Sequence, residues 1–168
     1  MIVRLAVVAD VHPLVDVQQQ GAVLGLSHIF PQGTHPFPRE DIARRWIAEI
    51  ADPATQAYVS TDDQGTIIGF AATRGGELLH FGTAPRTWGS GLAADLHDAV
   101  LDTFAQTASG TRVRLRVFEA NLRARRFYEK LGWRQTGVRT ATSFPPHPQL
   151  LEYDRRLDDG RHADDNMT

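Results

Sequence analysis

Gly89-Ser90-Gly91 is the stretch of this 168-residue chain whose residue types and spacing most directly suit chemistry. It follows an apolar run carried by Leu78, Leu79 and Phe81 and stopped by Pro85, which has no N–H for a strand ladder. It opens a helix in which Leu92, Leu96, Ala99, Val100 and Phe104 recur at three- and four-residue spacing. The first amides of a helix have no internal partner, and the helix dipole adds about half a positive charge there. Backbone without Cβ atoms at that point can cradle a phosphate with no charged side chain. Taken alone, the same turn also suits a tight strand-to-helix connection without a ligand. A second candidate region is Ser27–Arg39, which holds three prolines and a glycine together with His28, Phe30, His35 and Phe37. Such a loop serves either as one wall of a pocket or as a cap on the core.

The elements that must position these residues follow from periodicity and punctuation. Ile2 to Val8 is rich in β-branched residues and predicts a first strand. Asp10 is placed to cap a helix to about Leu26, with Leu14, Val17, Val23 and Leu24 as core positions. A second helix opens at Pro38-Arg39-Glu40-Asp41, buries Ile42, Trp46, Ile47 and Ile50, and ends at Asp52-Pro53. Ala57–Thr61 and Thr66–Thr73 read as strands joined by the hairpin Asp62-Asp63-Gln64-Gly65, and Glu77–Ala84 follows Arg74-Gly75-Gly76. After the glycine turn and a helix to about Ala105, with a break at Ser109-Gly110, Arg112–Phe118 alternates strictly, with Val113, Leu115 and Val117 on one face and arginines on the other. A strand–helix–strand unit makes it parallel to Glu77–Ala84. Asn121 caps a helix from Leu122 to Leu131 that stops at Gly132, with Ala124, Phe127, Tyr128 and Leu131 on one stripe. Trp133–Ala141 and Leu150–Leu157 are the last strands, separated by a loop containing Pro145, Pro146 and Pro148.

Composition sets bounds on function. One domain, residues 1–157, is long enough to bury close to 70% of its unfolded surface, and the polar stretch 158–168 reads as a disordered tail. Hydrophobic residues at 42% and charged residues at 23% are ordinary for a globular protein. A net charge of −2 leaves no electrostatic footprint for nucleic acid or an anionic membrane. The absence of cysteine removes a thiol nucleophile and thiolate ligands, and fits a cytoplasmic protein. Asp10 interrupts the apolar N-terminus, so no signal peptide is read there, and no apolar run is long enough to span a membrane. The seven histidines show no metal-ligand spacing.

In this order the motifs resemble those of the GNAT superfamily of acyl-CoA-dependent N-acyltransferases. The glycine turn fits that family's R/Q-x-x-G-x-G/A motif in two registers, Arg86-x-x-Gly89-x-Gly91 and Trp88-x-x-Gly91-x-Ala93. Pro85 and Leu92-Ala93 favour the second, which puts Trp88 where the family has Arg or Gln. The segment from Asn121 to Trp133 matches N-x-x-A-x-x-x-Y-x-x-x-G-F/W. The implied fold is α/β (α+β, mixed sheet), with about seven strands and four helices in the order β-α-α-β-β-β-α-β-α-β-β.

What the resemblance implies is an N-acetyltransferase that moves an acetyl group from acetyl-CoA to a primary amine of a small molecule or peptide, with no metal. The pyrophosphate would lie on amides of Trp88, Gly89, Ser90, Gly91, Leu92 and Ala93. The pantetheine arm would pair with the main chain at Phe81, Gly82 and Thr83 like an added strand, and one N–H there could face the oxyanion of the tetrahedral intermediate. Asn121, Ala124, Phe127 and Tyr128 complete the donor site, and Lys130, with Arg123, Arg125 and Arg126 beside it, is a candidate for the 3′-phosphate. Tyr128 holds the position of the general acid. His80 and Glu77 are candidate bases, His80 having the better intrinsic pKa of about 6.5, and His28, His35 and Glu119 stand further out. A homodimer is expected from the resemblance alone.

The acceptor pocket is expected to involve Phe30, His35 and Phe37, the strand around Tyr58, and the loop Phe144–Gln149. These segments carry one charge, Arg39, which favours a small or partly apolar amine over a polyanion. Two other readings are a non-catalytic acyl-CoA sensor and a dinucleotide-binding oxidoreductase, since Gly89 to Ala94 fits G-x-G-x-x-A. Pro85 to Trp88 separates strand from glycines, and no acid lies about twenty residues on, so the second is disfavoured.

Overall fold

A computed structural model of the chain describes residues 1–107 and 110–157. The strands are β1 (Ile2–Leu5), β2 (Thr55–Thr61), β3 (Ile67–Arg74), β4 (Glu77–Thr83), β5 (Arg112–Phe118), β6 (Arg134–Ala141) and β7 (Gln149–Arg156). The helices are α1 (Val11–Gly25), α2 (Arg39–Ala51), α3 (Leu92–Thr107) and α4 (Leu122–Lys130). One mixed sheet runs in the order β1-β2-β3-β4-β5-β7-β6. Every adjacent pair is antiparallel except β4 and β5, as a strand–helix–strand crossover requires. The expected break at Ser109 and the tail from Asp158 lie outside the described residues, among which no helix is long and apolar enough to cross a membrane.

Two apolar clusters sandwich the sheet. On one face, α1 and α2 bury Leu14, Val15 and Trp46 against Val59 and Phe70. On the other, α3 and α4 bury Leu96, Val100, Phe104 and Tyr128 against Leu78, Leu115 and Tyr153. The expected alternation of β5 holds, with Val113, Leu115 and Val117 buried beneath α3 and α4. Its arginines lie on the opposite face, where Arg112 meets Asp154 at 2.7 Å and Arg116 meets Glu77 at 3.1 Å.

Four local expectations are corrected. β1 stops at Leu5, because the Asp10 carboxylate accepts the Val7 amide at 2.9 Å and pairs with Arg4 at 2.7 Å, which folds the chain into a 3-10 turn at Val8–Asp10. Asp10 therefore makes no side-chain cap on α1. Val23 and Leu24 are exposed, and Val11 and Val15 take the expected core role beside Leu14. The inner face of the last α1 turns carries Gln18, whose Oε1 accepts the Trp46 indole N–H at 2.8 Å, and then Gly21 and Gly25. Ile47 is likewise exposed, one residue off the stripe of Ile42, Trp46 and Ile50.

In β4, His80 pairs with Ala72 while Leu78 pairs with Thr73, so Leu79 is an extra residue on that strand. The bulge resets the alternation. Leu78 and Phe81 both face α3 and α4, whereas Leu79 and His80 face α1 and α2.

His97, in α3, is only 1% exposed. Its Nε2 accepts the Trp133 indole N–H at 2.9 Å, so the Nδ1–H donates to Asp98 at 3.0 Å. Burial, aided by Arg155, draws its pKa below 6.5 against the opposing pull of Asp98. The folded chain thus binds this proton less readily than the unfolded chain, and stability is full above about pH 6.5 and declines as the pH falls below it. Melting temperature measured from about pH 7.5 down to about pH 5.5 should fall across that range. The fall should be shallower in His97→Gln, which keeps an acceptor for Trp133.

Candidate functional site

β4 and β5 pair at only two positions, Glu77↔Arg114 and Leu78↔Leu115, and diverge beyond them. The divergence leaves main-chain groups of β4 facing an opening. The Ala84 amide donates to Ile68 of β3 at 2.8 Å, and Gly82 pairs with Phe70, so both point toward β3. By strand alternation, the N–H and C=O groups of Phe81 and Thr83 point the other way, into the opening. The expected role of the Gly82 main chain is corrected accordingly. Its lack of a Cβ instead makes room for Phe70, whose Cζ would lie 2.5 Å from one.

At the mouth of the opening the chain passes through a 3-10 turn, Pro85–Thr87, and reaches Gly89 (φ 83°) and Gly91 (φ 90°) before α3. Both glycines hold left-handed backbone, which residues with a Cβ adopt at a cost. Two of the expected cradle amides are already occupied, since Trp88 donates to Pro85 at 3.1 Å and Ser90 to Thr87 at 3.1 Å. The Leu92 amide makes a longer bond of 3.3 Å to Ser90 Oγ. Among the described residues the amides of Gly89, Gly91, Ala93 and Ala94 have no hydrogen-bond partner. They are the groups free to bind an anion at the start of this helix.

The Trp88 side chain turns back into the opening. Its indole N–H donates to the Thr83 carbonyl at 3.1 Å, and the Arg123 guanidinium of α4 lies 3.3 Å from the ring centroid. A Cβ at Gly25 of α1 would stand 3.6 Å from the same ring.

On the α3/α4 side of the opening, Phe81 stacks on Phe127 at 5.7 Å, and Tyr128 packs against Phe81, Phe127 and Trp133. Asn121 caps α4, its Oδ1 accepting the Ala124 amide at 3.2 Å. Burial pushes the Tyr128 phenol well above its usual pKa, so it is a hydrogen-bond donor at neutral pH. Desolvation alone causes that shift, with no side-chain hydrogen bond or charge contributing to it. Arg125 is bound to Tyr153 Oη at 3.2 Å and the Glu119 carbonyl at 2.9 Å, while Arg126 and Lys130 are exposed.

On the α1/α2 side, His80 Nε2 lies 3.0 and 2.9 Å from the two Glu49 carboxylate oxygens, and its ring lies 5.0 Å from Trp46. Glu77, the other expected base, is held by Arg116 and Arg114 on the open sheet face. Glu49 was not expected. Trp46 and Glu49 are three residues apart, on neighbouring positions of one helix face, but a glutamate on an amphipathic helix reads as solvated until its partner is known.

Three loops meet where β5 ends. Phe30 lies 5.3 Å from Phe118, edge to face, and 6.0 Å from Phe144, and His28 Nε2 donates to the Ala120 carbonyl at 2.9 Å. His35 lies near Thr34, its Nδ1 at 3.0 Å from the hydroxyl, and Phe37 packs on the α1/α2 core. Tyr58 is not brought to these residues. It lies 7% exposed in the core under α3, because its position on β2 faces the opposite side of the sheet from Ala57 and Val59.

The acetyltransferase (GNAT) family model matches residues 22–133, a span from α1 through the glycine turn to Trp133. An uncharacterized N-acetyltransferase of Mycobacterium tuberculosis is 32% identical over 117 residues, covering 67% of this chain and 74% of that protein. A protein of the same description from Mycobacterium bovis matches equally. Among solved structures, the PaiA N-acetyltransferase of Thermoplasma acidophilum in complex with coenzyme A has a TM-score of 0.72 at 17% identity, over 90% of this chain and 96% of its own. The spermidine N-acetyltransferase of Vibrio cholerae in complex with CoA and spermine has a TM-score of 0.69 at 17% identity, over 93% and 95%. With its sheet order, its opening between parallel strands and its glycine turn all in place, the chain belongs to the acetyltransferase (GNAT) family.

Proposed function

We propose that this acyltransferase moves an acetyl group from acetyl-CoA to a primary amine of a small molecule or peptide, by direct attack of the amine on the thioester. The observation that carries the reading is the β4–β5 divergence beside a helix start with free amides. The two together suit a ligand that is anionic at one end and extended at the other. Coenzyme A in the solved structures of Thermoplasma acidophilum and Vibrio cholerae relatives is such a ligand, and the latter also holds spermine, a small-molecule amine.

In this reading the amides of Gly89, Gly91, Ala93 and Ala94 hold the diphosphate, and Phe81 and Thr83 pair with the arm. The amine nitrogen bonds to the carbonyl carbon, an amide N–H of β4 stabilises the oxyanion, and the C–S bond then breaks. Tyr128 donates a hydrogen bond to the departing sulfur. A free thiol has a pKa of about 8.5, so full transfer from a phenol raised by burial is uphill, and stabilisation of the thiolate is the larger part of its role. His80, oriented by Glu49, receives the proton lost by the amine. The aromatic wall of Phe30, Phe118 and Phe144 supports an acceptor with an apolar portion.

A thermal melt with acetyl-CoA at about 100 times Kd should rise by several degrees, since such saturation adds about 2.7 kcal/mol, and NADH should leave it unmoved. No rise with acetyl-CoA would sink the proposal. Tyr128→Phe should lower kcat roughly 10- to 100-fold with acetyl-CoA affinity unchanged, measured by thiol release. Unchanged turnover would remove the donor role. His80→Gln should lower kcat/KM about 10-fold or more at neutral pH, and less at alkaline pH, where the amine is already free. Equal loss at every pH would point to positioning instead.

A further inference from the structure

The Trp88 indole lies in the place that an extended ligand along β4 would occupy. The Thr83 carbonyl points into the opening, because Ala84 and Gly82 point toward β3. That carbonyl is the acceptor at the β4 end that an added strand would use, and the indole N–H already holds it at 3.1 Å. The same ring touches three separate elements: the end of β4 through Thr83, α4 through Arg123, and the C-terminal turns of α1 through Gly21 and Gly25. In the helical register of α1, Gly21 and Gly25 are four residues apart on one face, and the absence of side chains there leaves the space that the ring fills. Arg123 has no carboxylate partner among the described residues, and its guanidinium lies over the indole face.

We propose that Trp88 is a strap across the donor cleft, closing it by holding the Thr83 carbonyl and Arg123 together, and that the donor opens it by taking that carbonyl for itself. This rests on the acetyl-CoA reading above. One indole N–H and one cation–π contact must break when the arm pairs with Thr83, so the strap lowers donor affinity. It also keeps the cleft closed to water until the donor is present. Loss of the two contacts on donor binding corresponds to roughly tenfold in Kd or more.

Two readouts test the strap. Trp46 and Trp133 are each 1% exposed and packed in separate cores, so a change of tryptophan environment at the cleft reports on Trp88. Calorimetric titration with acetyl-CoA should give about tenfold tighter binding to Trp88→Ala than to the unaltered protein. Emission of the unaltered protein should shift to the red as acetyl-CoA saturates it, and the shift should vanish in Trp88→Phe, which keeps a ring but has no N–H for Thr83. Calorimetric binding with unchanged emission, or weaker binding to Trp88→Ala, would overturn the strap while leaving the donor reading intact. No calorimetric binding to either protein would overturn both.

Discussion

The brief parallel pairing of β4 with β5 is the constraint on which the rest of this structure depends. Two paired positions fix the strands side by side at Leu78 and Leu115, and the strands then part. A buried sheet interior normally satisfies its backbone groups on both sides. Here the groups of Phe81 and Thr83 must find another partner, and that unsatisfied edge is what makes the opening a candidate site. In the structure as it stands, one of those groups is answered by the Trp88 indole.

The bulge at Leu79 does a second job with one extra residue. It lets Phe81 enter the aromatic group around Tyr128 while its neighbour His80 faces Trp46 and Glu49 on the opposite side of the sheet. A regular strand would also place neighbours on opposite faces, but it would send Phe81 away from the cluster that Leu78 belongs to. Tyr128 and His80 thus lie on opposite faces of the sheet, on either side of β4. The buried pair of His97 and Trp133 packs beside Tyr128, where the imidazole accepts the indole N–H. Its desolvation cost is offset by satisfied hydrogen bonds, as a buried polar group requires.

Electrostatics divides the molecule in a similar way. The open face of β5 is laced by pairs among Arg112, Arg116, Glu77 and Asp154, which are solvated and individually worth little. Their consequence for the site is exclusion, because they remove Glu77 from the set of free bases. Arg125 is likewise drawn into the Tyr153 and Glu119 contacts. Arg123 is left at the cleft against Trp88.

The order of elements was legible in the sequence, and so were the alternation of β5, the Asp62–Gly65 hairpin, the Asn121 cap and the glycine turn. Each is set by interactions within a few residues, where residue type and backbone preference decide the outcome. Periodicity failed where the packed face is made of small or polar residues: Gly21 and Gly25 lie inward on α1, while Val23 and Leu24 face solvent. Only the tertiary structure could decide which residues share the opening. A one-residue bulge leaves no mark in composition, yet it sets which way Phe81 and His80 face. The pairing of Glu49 with His80, of Trp88 with Thr83 and Arg123, and of Phe30 with Phe118 and Phe144 depends on strand register and on helix docking. Those are fixed by burial of the whole sheet at once, so no local segment contains them.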